Sequence, residues 1–146
     1  MNKTVIAMFL TMGFVISSPF TCHAESIYTP PEQSREELYQ DIFISLLMPH
    51  IQKQINNYYT KVLTTSPVVY PYFVYVLKAK RIGDYRSFDF LVKLKVIPVI
   101  GPHISVGIDH LTFKIRGSGD VELKKFEHIK TENLPENWKH MIKEQL

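Results

Sequence analysis

The chain has 146 residues, a formal net charge of +3 and one cysteine. That length suits one domain, and a charge so small excludes nucleic-acid binding driven by charge alone. A single cysteine also excludes an internal disulfide and any multi-cysteine metal site.

Residues 1–24 have the order of an export signal. Lys3 gives the positive start, an apolar run covers 5–16, and Ser17-Ser18-Pro19 breaks the helix ahead of the small residues Cys22 and Ala24. Cleavage is predicted between Ala24 and Glu25. The mature chain would then be secreted or associated with the extracellular side of the cell envelope. The apolar run is shorter than the roughly 20 residues that cross a bilayer, so no transmembrane segment is expected after processing. Lipidation at Cys22 fits poorly, because Pro19-Phe20-Thr21 precedes it where a Leu-led box is needed. Cleavage would remove Lys3 and Cys22, leaving a formal charge of +2 and no thiol. Residues 25–33 read as an extended linker, since Pro30-Pro31 resist helix and sheet, and residues 34–146 as a single α+β domain.

Ser34-Arg35-Glu36-Glu37 fits a capping box and predicts a helix from Ser34 to about Tyr59. Its apolar stripe is expected at Tyr39, Phe43, Leu47, Ile51, Ile55, Tyr58 and Val62, widened by Leu38, Ile42 and Leu46. Pro49 interrupts the backbone bonding while the stripe keeps its phase, so one helix kinked at Pro49 is expected.

From Pro67 the apolar period becomes two. A first strand is predicted near 72–82, with Tyr75, Leu77 and Ala79 inward, ending at the Gly83-Asp84 turn. In the second strand Phe88, Phe90, Val92, Leu94 and Val96 alternate inward against Asp89, Leu91, Lys93, Lys95 and Ile97. The third, near 106–116, turns Leu111, Phe113 and Ile115 inward. A tight link at 117–120 leads to a fourth strand over about 121–129. A short final helix is expected after Asn133, with Leu134, Trp138, Met141 and Ile142 on its apolar side. Strands joined by short links pair antiparallel, and the long helix must cover one face. The expected fold is therefore α+β: a long kinked helix on a four-stranded antiparallel sheet, cystatin-like by analogy.

The segments ELYQDIFISLLMPHIQKQINNYY, YRSFDFLVKLKVIP, GPHISVGID and KKFEHIK resemble a family known as domain of unknown function 3888. The resemblance spans about residues 35–130. It implies small exported proteins of spore-forming Gram-positive bacteria with a shared fold, and it brings no activity and no catalytic residues.

Two regions are candidate sites. The segment 98–107 holds two prolines and two glycines around His103, which suits a rigid binding loop with His103 and Asp109 beside a ligand. Its bland alternative is a stiff link with an exposed histidine. Asp109 and His110 are neighbours on a strand and face opposite ways, so they cannot act as a direct pair. No nucleophile is placed by a motif. The histidines at 50, 103, 110, 128 and 140 lack metal-ligand spacing, so neither metal nor cofactor is expected. The second region is the non-core phase of the sheet, where Lys78, Lys80, Lys93, Lys95, Lys114 and Arg116 form a basic band, with Val74, Val76, Leu91 and Ile97 beside it. Such a band suits an anionic wall polymer or lipid surface, and the bland alternative is a solvated face. The function expected is an exported, non-enzymatic binding module. The alternatives are a small extracellular enzyme using the His103 loop and a structural protein dimerising through the sheet face.

Overall fold

The computed structural model describes residues 27–143. The expected leader, Cys22 and the expected cleavage point between Ala24 and Glu25 lie outside the described residues.

Helix α1 runs Arg35–Tyr59 without interruption at Pro49. The Glu37 N–H donates to Ser34 Oγ at 3.1 Å, which is one half of the expected cap. The Glu37 carboxylate takes the N–H of Gln33, at 2.6 Å, instead of that of Ser34. The Ser34 N–H goes to the Pro31 carbonyl, closing a turn ahead of the helix.

The buried face of α1 is Ile44, Leu47, Ile51, Ile55 and Tyr59. This corrects the expected stripe in its first half: Leu38, Tyr39, Ile42 and Leu46 are exposed, Leu46 at 72%. Seven of the residues between 38 and 47 are apolar or aromatic, so several helical faces there fit a stripe equally well. Val62, beyond the helix, is also exposed.

A 3-10 turn, Pro71–Phe73, leads into the sheet. Strands β1 (Val74–Ile82), β2 (Asp89–Val96), β5 (Gly107–Ile115) and β6 (Val121–Thr131) form one antiparallel sheet in the order β1-β2-β5-β6. The segment 98–107 is more than a link. It contains a small hairpin, β3 (Val99–Ile100) paired with β4 (Ile104–Ser105), turned over Gly101 and His103 at positive φ.

The core lies between α1 and the inner face of the sheet. Val92, Leu94 and Val96 of β2 and Leu111 and Phe113 of β5 are buried as their alternation requires, whereas Phe88 is exposed. In β1 the expected phase is wrong at the start. Val74 and Val76 face the core, opposite Val96 and Leu94. Leu77 is the extra residue of a bulge between Val76 and Lys78, and the bulge restores Ala79 to the inner phase opposite Val92. Tyr75 lies on the outer side across from Lys95. Val74 and Val76 therefore leave the outward face, while Leu91 stays on it.

The C-terminal segment forms a 3-10 helix, Glu136–Met141, rather than an α-helix. Leu134 is buried and Trp138 and Met141 pack on the core, with Trp138 over Gly101. The segment is tied to the turn that follows α1 by a Leu63–Ile142 bridge.

Candidate functional site

On the outer face, cross-strand register gathers the basic residues. Lys78 of β1 stands directly opposite Lys93 of β2, which stands opposite Thr112 of β5, which stands opposite Lys125 of β6. Together with Lys80, Leu91 and Glu127 they line a shallow concavity of about 290 Å³. The Glu127 carboxylate bonds Lys125 at 2.7 Å and lies 3.9 Å from Lys93, and its pKa is lowered, chiefly by the Lys125 bond. Lys125 was not singled out from the sequence. A bulge between Thr112 and Phe113 makes Lys124 the extra residue and sets Lys125 opposite Thr112.

The rest of the expected band is divided. Lys95 lies over the Tyr75 ring at 5.6 Å. Lys114 is 3.1 Å from Asp89, whose carboxyl it holds below the usual range, and Arg116 is 3.1 Å from Glu122. Lys114 and Arg116 thus each pair with a carboxylate outside the concavity, whereas Lys93 and Lys125 share the single carboxylate of Glu127, so the cluster with Lys78 and Lys80 keeps a net positive charge.

His103 and Asp109 are not brought together. His103 sits at the β3–β4 turn among aromatic rings, 4.9 Å from Tyr70, 6.2 Å from Tyr72 and 6.1 Å from Phe73. Asp109 faces the core and is fully buried, while His110 faces outward opposite Lys95 and Glu127.

A buried carboxylate needs partners, and Asp109 has two. Tyr59, in the last turn of α1, donates its hydroxyl to Asp109 Oδ2 at 2.9 Å. His128 of β6, directly across the ladder, places Nδ1 2.7 Å from Oδ1. The second imidazole nitrogen, Nε2, is 2.7 Å from Thr131 Oγ1. Burial pushes the Asp109 carboxyl up, and the bonds from His128 and Tyr59 pull the other way. Burial and the adjacent Asp109 raise the Tyr59 phenol far above its ordinary value, so it remains a donor. Tyr58 stacks on both Phe126 and His128, at 5.0 and 4.9 Å, and fixes the plane of the imidazole.

Residues three apart on a regular strand face opposite ways. His128 and Thr131 share a side because the register shifts between Ile108 and Asp109, leaving Ile129 as the extra residue of a second β6 bulge. Gly107, opposite Thr131, supplies the space. A Cβ there would collide with the Tyr59 hydroxyl and come within 2.7 Å of the Lys130 carbonyl and 3.0 Å of His128 Cε1. Beside this chain lies a pocket of about 230 Å³, with His128, Thr131 and Glu132 on its polar side and Val62, Leu63, Val106, Leu134 and Ile142 on its apolar side.

Residues 39–130 match the family described as a protein of unknown function (DUF3888). The chain belongs to that family. No curated protein and no solved structure matches it. Membership in DUF3888 accounts for most of α1 and all but the last residue of the main sheet. It assigns no role to the lysine face or to the Asp109 chain.

Proposed function

We propose that this protein is an exported binding module, released by cleavage between Ala24 and Glu25, that holds an anionic envelope polymer or lipid surface on the outer face of its sheet. One observation carries the reading: Lys78 lies directly across from Lys93, with Lys80 and Lys125 lining the same concavity. Like charges opposite one another weaken a sheet, and an anion seated among them reverses the sign of that interaction. Glu127 offsets only part of the charge. Lys95 extends the surface along β2. The bend at Pro49 and the cone-like, cystatin-like wrapping of sheet around helix belong to the same reading of the fold, and on the outer face the concavity is framed by the long lysine side chains themselves.

The test is retention of purified protein on anionic wall polymer and, separately, on anionic vesicles. Binding should be strong at low ionic strength and lost near 0.5–1 M salt, where the Debye length falls to about 3 Å. Lys78→Glu combined with Lys125→Glu should weaken it at least about tenfold, with an unchanged unfolding midpoint. Salt-independent retention, or a double variant that binds like the parent, would overturn the reading.

A further inference from the structure

The chain Thr131–His128–Asp109 has the connectivity of a nucleophile, a general base and the carboxylate that orients the base. An ionised carboxylate only accepts hydrogen bonds, so Asp109 directs the proton of a neutral His128 to Nδ1, 2.7 Å away. Nε2 is then the acceptor for the Thr131 hydroxyl, also at 2.7 Å. Three features hold this order in place. Asp109 is fully buried and fixed by Tyr59, the imidazole is stacked on Tyr58, and the Ile129 bulge turns Thr131 back to the side of His128. Unlike the two members behind it, Thr131 is exposed to solvent. It borders the pocket whose other wall is apolar.

We propose that Thr131 is the nucleophile and His128 the general base of an ester-hydrolysing site for short, apolar acyl groups, with Asp109 as a positioning residue. Thr131 Oγ attacks the acyl carbon and its proton passes to His128 Nε2. The tetrahedral centre collapses, the ester C–O bond breaks, and the departing alkoxide takes that proton and leaves as an alcohol. Water, activated by His128 in the same way, cleaves the acyl-Thr131 ester, giving a carboxylic acid and restoring the threonine hydroxyl. The pocket of about 230 Å³ limits the acyl group to a short chain. Backbone can serve the developing oxyanion. β6 is an edge strand, and the Glu132 N–H is turned inward to the Val106 carbonyl at 3.1 Å. By the alternation of an antiparallel ladder, the N–H of Thr131 itself turns to the free side. The site is independent of the lysine face.

The experiment treats purified protein with a fluorophosphonate and, separately, with p-nitrophenyl butyrate. The expected result is a covalent phosphonate adduct on Thr131 and turnover of the ester. Thr131→Val should lose both, His128→Gln should lower kcat at least about 100-fold, and Thr131→Ser should restore labelling. Asp109→Asn should lower kcat with little change in KM, because it misdirects the imidazole without altering the acyl pocket. Circular dichroism confirms that each variant is folded. An adduct on another residue, or ester turnover by wild type no faster than by folded Thr131→Val, overturns the proposal.

Discussion

Gly107 stands directly across the β5–β6 ladder from Thr131, and the space of its absent Cβ is occupied by the Tyr59 hydroxyl. Gly107→Ala should therefore act on the polar chain before it acts on the sheet. The new methyl meets the Lys130 carbonyl, which is backbone and cannot swing aside. Displacing Tyr59 leaves the buried Asp109 short of one donor. A loss of about 2–4 kcal/mol in urea unfolding is expected. A loss under about 0.5 kcal/mol would mean that the Tyr59–Asp109 bond contributes little.

Asp109 should give the fold an unusual pH signature. Its carboxyl is raised in the folded state by burial, against the pull of His128 and Tyr59. Below the unfolded value of about 3.9 both states are protonated, and the contribution of the group is fully present. It is lost as pH rises through the raised folded value. Asp89, Glu122 and Glu127 are shifted the other way, so their contributions are lost on acidification. Subtracting Asp109→Asn from wild type isolates the first effect. The variant's disadvantage in urea unfolding should be largest near pH 4 and smaller at pH 7. A disadvantage that grows with pH would show a carboxylate stabilised, not destabilised, by its site.

The corrected helix face makes a sharp contrast between two apolar residues on α1. Ile55 is fully buried and Leu46 is 72% exposed. Ile55→Ala should cost about 2–5 kcal/mol, while Leu46→Ala should change stability by less than about 0.5 kcal/mol. Equal losses at the two positions would put the helix in the wrong rotation.

Ser34→Ala removes the acceptor of the Glu37 N–H at the start of α1. A loss of about 1 kcal/mol is expected in thermal or urea unfolding, with Ser34→Asp close to wild type. If Ser34→Asp loses as much as Ser34→Ala, the hydroxyl serves something other than the cap.

The parts legible in the sequence were those where one local signal dominates. The Ser34 hydroxyl's half of the cap, the strict alternation from Phe90 to Val96 and the inward Leu111 and Phe113 stand as read, while the Glu37 carboxylate bonds Gln33 and not Ser34. The face of α1 was lost where apolar residues crowd the helix all round, and the phase of β1 was lost at Leu77, because a bulge leaves no mark in a period of two. The Asp109–His128 pair was missed for a related reason. The two are joined by register across a ladder, and His128 reaches Thr131 only through the Ile129 bulge. A usable signal was nevertheless present. The inward phase Leu111, Phe113, Ile115 extends back to Asp109, and a carboxylate on a core-facing position demands a partner. Half of the basic band was legible for strand geometry alone, but which lysines would find a carboxylate depended on side chains from neighbouring strands.

β6 is an eleven-residue edge strand, long enough to template growth by another chain. Its two bulges break that template at Lys124 and Ile129, and Lys124, Lys125 and Lys130 add charge along it. The irregularities that aim Lys125 at the outer face and Thr131 at His128 thus also guard against fibril-like stacking. Straightening β6 by deleting Lys124 or Ile129 would remove a site residue's aim and a defence against aggregation in one step.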